Sequence, residues 1–150
     1  MYSKAEKSNI KKEFWTSFGM YMKPVLSAEG EKINWVNYKT GVRYIFFRMD
    51  ADTKGCSIAI EIRHPQQAER GKLYGQIATF KKIFTEICGA NWLWLEDIYD
   101  EDGAPISKIY SNKEMVNVFK KDDWPEIISF LKEGIIRLDE FWALVKANFE

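Results

Sequence analysis

Residues 42–63 read VRYIFFRMDADTKGCSIAIEIR, two apolar runs separated by the turn-forming segment Asp50 to Gly55. Val42 to Met49 reads as one strand and Cys56 to Arg63 as the next, the latter stopping at His64-Pro65 because proline cannot donate to a ladder. Alternation puts Val42, Tyr44 and Phe46 on one face and Ile45, Phe47 and Met49 on the other. A strand apolar on both faces is expected to be central, with helices covering both sides of the sheet.

Upstream, Ile33 to Tyr38 reads as a further strand entering through a Lys39-Thr40-Gly41 turn, which makes a three-stranded meander. Before it, Ser3 followed by Glu6 forms a capping-box pattern, and Ile10, Phe14, Phe18 and Met22 recur every four residues. These signals predict a helix from near Lys4 to Met22, ended by the Lys23-Pro24 step.

Downstream, Leu73, Ile77, Phe80, Phe84 and Ile87 predict one helix from Gln67 to Cys88, closed at Gly89. Trp92 to Tyr99 and Ile106 to Ser111 read as a hairpin about Asp102-Gly103, the second strand extending through Met115 to Phe119. Asp123-Trp-Pro-Glu opens a last helix with the stripe Ile127, Leu131, Ile135, Leu138, Trp142, Val145 and Phe149, and a bend is expected near Gly134. The fold class is therefore α+β (mixed α/β), with a mainly antiparallel central sheet of about five strands flanked by three helices in the order αβββαββα.

With 150 residues, and six Trp and ten Phe spread along it, the chain fits one domain, 1–150, around one core. The 22 basic and 22 acidic residues balance, which argues against a binder held by a whole-molecule positive field. Lys4, Lys7, Lys11 and Lys12 make the first helix basic, and Glu96, Asp97, Asp100, Glu101 and Asp102 crowd acid around the second hairpin; both read as solvated surface. Cys56 and Cys88 form no disulfide framework or ligand cluster and are expected reduced and buried. With no signal-peptide core and no apolar run of about 20 residues, the expected location is the cytoplasm, with no membrane partner.

The order αβββαβ is also the core order of the PD-(D/E)XK nucleases, which it resembles in topology. Such nucleases place an ExK on the third strand; here that position reads Glu61-Ile62-Arg63, with Glu61 and Arg63 on one face. A carboxylate there would hold Mg²⁺ and a cation would assist the attacking water. Arginine, however, stays protonated, and the register places no aspartate opposite Glu61, only Arg43 and Tyr44. Under a nuclease reading Glu61, Arg63 and Glu13 share the work; otherwise Glu61 forms a strand-end ion pair with Arg43 or Arg63. His64 has no marked nucleophile beside it, the acidic run does not fit a calcium loop, and Gly71-Lys72 lacks the rest of a phosphate-binding loop. No resident metal site is expected, and Mg²⁺ enters only with the nuclease reading.

Glu13-Phe-Trp-Thr-Ser-Phe-Gly, Ser27-Ala-Glu-Gly-Glu-Lys-Ile-Asn-Trp-Val-Asn-Tyr-Lys-Thr-Gly, Phe47-Arg-Met-Asp-Ala-Asp and Ser57-Ile-Ala-Ile-Glu-Ile together resemble the bacterial family catalogued as domain of unknown function 4268. The resemblance spans nearly the whole chain. It implies a domain found alone or at the carboxy-terminal end of longer proteins, some with a nuclease-like domain ahead, and it transfers no residue roles.

The leading expectation is a noncatalytic accessory or interaction module linked to nucleic-acid processing, with a protein or a nucleic acid as partner. The alternatives are the metal-dependent nuclease, and a nucleic-acid-binding module using Lys4, Lys11, Lys12, Arg43 and Arg48. Oligomeric state is not legible; Trp142 and Phe149 are the apolar candidates for contact with a second copy.

Overall fold

A computed structural model describes residues 2–149. Helix α1 runs Lys4–Met22, as expected, because the capping box closes: the Glu6 amide donates to Ser3 Oγ at 3.1 Å and the Ser3 amide to Glu6 Oε1 at 3.2 Å. Its apolar stripe delivers Phe14, Phe18 and Met22 to the core, each burial being worth about 1.5–3 kcal/mol.

The chain then runs to residue 44 without regular structure, so the expected strand Ile33 to Tyr38 does not form. Its aromatic residues go inward on hydrogen bonds of their own: Trp35 Nε1 donates to the Val25 carbonyl at 2.9 Å and the Tyr38 hydroxyl to Asp139 at 2.6 Å. Partners supplied by remote residues replace a strand ladder here.

Strand β1, Ile45–Ala51, and strand β2, Gly55–Ile62, form the expected hairpin with Phe46 opposite Glu61. The tighter turn, in which Asp52 Oδ1 accepts the Lys54 and Gly55 amides, shifts pairing by two residues from the Arg43–Tyr44 register. A two-residue shift preserves the faces. The single helix expected from Gln67 to Cys88 is two, α2 (Gln67–Ala78) and α3 (Lys81–Cys88), broken at Thr79-Phe80 so that both Ile77 and Phe84 reach the core. Strand β3, Leu93–Tyr99, and strand β4, Pro105–Glu114, make the second hairpin. Met115, at φ 67°, ends β4, and the segment beyond it is not a strand: it tucks Val116 and Val118 inward. After a 3₁₀ turn at Lys121–Asp123, helix α4 covers Trp124–Val145.

The sheet therefore has four strands in the order β1-β2-β4-β3, antiparallel throughout. With only two strands ahead of α2, the αβββαβ order behind the nuclease likeness is not formed. The chain is instead two αββα halves that meet along β2 and β4. Gly55 makes that seam possible, since a Cβ on it would run into the Lys113 carbonyl.

Helix α4 lies against the sheet at Ile58, and no bend at Gly134 is needed to account for its glycine: a Cβ there would stand 3.0 Å from Ile58 Cδ1. The core joins Ile45, Phe47, Ile58, Ile60, Ile62 and Ile109 to the helices through Phe14, Phe84, Leu131, Leu138 and Phe141. Trp142 is buried, with the Phe149 ring tilted against it at 5.2 Å, so it presents no patch to a second copy. Strand β1 is an edge, not the centre, and the helices do not cover both sides. Two adjoining grooves lie on the other side, lined among the described residues by residues 48–63 and 98–115, which are strands and turns alone.

Candidate functional site

Alternation decides what reaches the uncovered side. With Ile58, Ile60 and Ile62 turned to α4, β2 presents Ser57, Ala59 and Glu61 outward. Across the strands the register aligns Phe46, Glu61, Lys108 and Leu95, and one step along Arg48, Ala59, Tyr110 and Leu93. Ala59 and Ile106 are buried on this side without joining the main core, forming a small floor.

Glu61 is only 7% exposed because two guanidinium groups cap it. Arg63 Nε donates to its Oε1 at 2.9 Å, and Arg48 Nε lies 3.0 Å from the same oxygen. Thus Arg63 is one of the two expected ion-pair partners and Arg48, brought in by the register shift, takes the place expected of Arg43. Arg43 instead lies over the Tyr44 ring at 4.8 Å.

The β3–β4 turn supplies a residue that sequence reading left among solvated acids. Asp100 Oδ1 accepts the Asp102 and Ala104 amides at 2.9 and 2.8 Å, while its Oδ2 accepts Arg63 Nη1 at 2.8 Å. The Arg63 bond and those turn amides hold the Asp100 carboxyl below its ordinary value. Burial works against the Arg63 charge, but hydrogen bonds to Asp100 and Glu61 outweigh it and raise its pKa. Arg63 therefore bridges two carboxylates from different hairpins inside a groove of about 430 Å³. The aspartate missing from the sequence reading is present in the groove, but a guanidinium holds it.

The other sequence candidates do not converge on this groove. Glu13 sits on α1, in the helical layer, and pairs with Lys121 at 2.8 Å. Lys11 and Lys12 share that helix, so the basic set expected to act with Arg48 is divided between opposite sides of the molecule. Lys4 opens the same helix. His64 packs its ring on Tyr44 at 4.3 Å and accepts the Gln66 amide on Nδ1 at 3.0 Å. Among the described residues no group of three His, Cys, Asp or Glu side chains could hold a metal ion. No helix among them is long and apolar enough to cross a membrane.

A second polar site lies in the helical layer. Asp139, 5% exposed on α4, accepts the Ala28 amide at 2.7 Å as well as the Tyr38 hydroxyl, and Trp142 Nε1 donates to the Thr40 carbonyl at 2.8 Å. Burial first, and Asp139 second, push the Tyr38 phenol far above its ordinary value. These contacts pin the irregular segment to α4, a structural use that leaves Asp139 already engaged.

No curated protein and no solved structure matches the chain. A family model does, over residues 10–146, which is most of its length and includes both hairpins, helices α2 to α4 and all but the first turns of α1. The stretches that carried the resemblance thus lie in α1, in the segment pinned by Asp139, and in the β1–β2 hairpin, and the chain belongs to the family described as domain of unknown function DUF4268.

Proposed function

We propose that this domain is a noncatalytic binding module, and that the uncovered side of its sheet is the working surface. The observation that carries this reading is the pairing of Glu61 and Asp100 with Arg63 and Arg48. A divalent ion needs carboxylate oxygens free to coordinate it, and a guanidinium in their midst both occupies those oxygens and repels the ion. A permanently charged Arg63 also offers no general base. The accessory role beside nucleic-acid processing, and a cytoplasmic setting for the free thiols Cys56 and Cys88, belong to the same proposal.

The nuclease reading retains one observation in its favour, that a carboxylate from each hairpin meets at Arg63. One experiment separates the two. Isothermal titration with Mg²⁺ and Mn²⁺ is expected to give no heat of binding, and single- and double-stranded DNA are expected to stay intact with either metal. Metal-dependent cleavage that disappears in Glu61→Gln would overturn the module reading.

A further inference from the structure

We infer that the uncovered side of the sheet receives single-stranded nucleic acid, laid across the strands from β1 towards β3. The inference rests on the binding-module reading and names its ligand. Two aromatic rings stand towards the middle of this side, Phe46 on the edge strand and Tyr110 on an inner one, and each has a cation over it; a third, Tyr99, borders the groove beside the acidic turn. Arg48 lies 5.3 Å from the Phe46 centroid, and Lys108 lies 4.8 Å from that of Tyr110. Two strand spacings and one step along the strand separate the rings by about 12 Å, so each can take a different base. On β2 between them stand Ala59, which keeps the floor low, and Glu61 beneath its two guanidinium groups, and the two grooves run into each other through Asp50, Ser57 and Lys108.

Charge sets the direction of the path. Arg48, Arg63 and Lys108 occupy the middle of this side against Glu61; one end mixes Asp50, Asp52 and Glu114 with Lys54 and Lys113, and the other carries Asp100, Glu101 and Asp102. A polyanion is repelled from the acidic end at residues 100–102 and is held along the central band. Arg48 spends only its Nε on Glu61, and its side chain is 54% exposed, which leaves the rest of the guanidinium for a phosphate. A base arriving on Phe46 or Tyr110 takes the ring face, and the displaced cation remains beside the phosphate of the same nucleotide. A duplex offers no bare base faces to these rings, so the face selects the single strand. Leu93, 55% exposed, and Leu95 continue the surface beyond Tyr110 as apolar contact for a further base.

Fluorescence anisotropy with a labelled mixed-sequence single strand about 12 nucleotides long tests this, with the matching duplex and polyglutamate as competitors. The expected result is competition by unlabelled single strand and by neither competitor, with a salt slope near −1.4 for two cations, Arg48 and Lys108, at about −0.7 each, since Arg63 is committed to Glu61 and Asp100. Tyr110→Ala is expected to weaken binding about 5- to 140-fold, the loss of one stacking platform. Tyr110→Phe keeps the ring and is expected to keep the affinity, which separates stacking from misfolding. Lys12→Ala, in the helical layer, is expected to change nothing. No binding at low salt, equal competition by duplex or polyglutamate, or a Tyr110→Ala variant that binds like the parent would each overturn the assignment. If binding is absent and the strand also stays uncut with Mn²⁺, the ligand is wrong and the module reading survives; if the strand is cut, the module reading falls.

Discussion

Replacing Asp139 by alanine should release the segment between α1 and β1 while leaving the sheet in place. The carboxylate holds the Ala28 amide at 2.7 Å and the Tyr38 hydroxyl at 2.6 Å, in a position 5% exposed. Stranding a buried donor costs about 1–3 kcal/mol; Ala28 is exposed and Tyr38 half-buried, so water takes up part of the loss and Asp139→Ala should cost about 2–3 kcal/mol, a sizeable share of a domain stability of about 5–15 kcal/mol. Asp139→Asn should cost less, about 1–2 kcal/mol. Its carbonyl still accepts from Ala28 and its amide can donate to a Tyr38 hydroxyl that turns round, so the charge is lost but neither partner is orphaned. Urea unfolding followed by tryptophan fluorescence gives the totals. Amide hydrogen exchange gives the location: protection should fall first at Ala28 and around Tyr38, ahead of β2 and β4. If Asp139→Ala shifts stability by less than about 0.5 kcal/mol and the Ala28 amide stays as protected as in the parent, the carboxylate is not what pins this segment.

Gly55→Ala should destabilise by about 1–3 kcal/mol, because its Cβ meets the Lys113 backbone carbonyl and β2 and β4 must part; denaturant midpoints measure it, and an unchanged midpoint would show that the seam can relax. The Asp100 carboxyl is held below its ordinary 3.8, so the stabilisation it provides is present above that value and lost as pH falls through the lower folded-state value. Carbon NMR of the aspartate carboxyls should find Asp100 still ionised at pH 3.8 in the parent, whereas Arg63→Gln should bring its midpoint back towards 3.8; a normal midpoint in the parent would refute the Arg63 bridge.

Much of the fold was legible where the signal was local. Ser3 and Glu6 are three residues apart and close their own helix cap, and both hairpins carry their turn chemistry between their strands. What failed depended on distant partners. Trp35 and Tyr38 have the spacing of a strand, but nothing nearby in sequence tells that Val25 and Asp139 will take their hydrogen bonds. The break at Thr79-Phe80 interrupts an apolar periodicity that continues on both sides, with no glycine or proline to announce it. Phe46 looked like one half of a doubly covered strand; its outward ring is 39% exposed beneath Arg48 rather than beneath a helix. In the candidate site, Glu61 and Arg63 were visible because alternation fixes their face. Asp100 was hidden because the pairing that delivers it joins β2 to β4 across the intervening helices.

That junction also sets how the chain must assemble. Each hairpin closes over a short stretch, but the pairing of Gly55 with Glu114 and of Ile62 with Ser107 closes loops spanning α2, α3 and β3. Long loop closure is the slow step in such topologies, so the two halves should organise early and their docking should limit the folding rate. A backbone cut at Thr79-Phe80 falls between the halves and severs no strand. Two separately produced fragments, 1–79 and 80–150, should therefore recombine into the native sheet, and their concentration should govern how fast they do so.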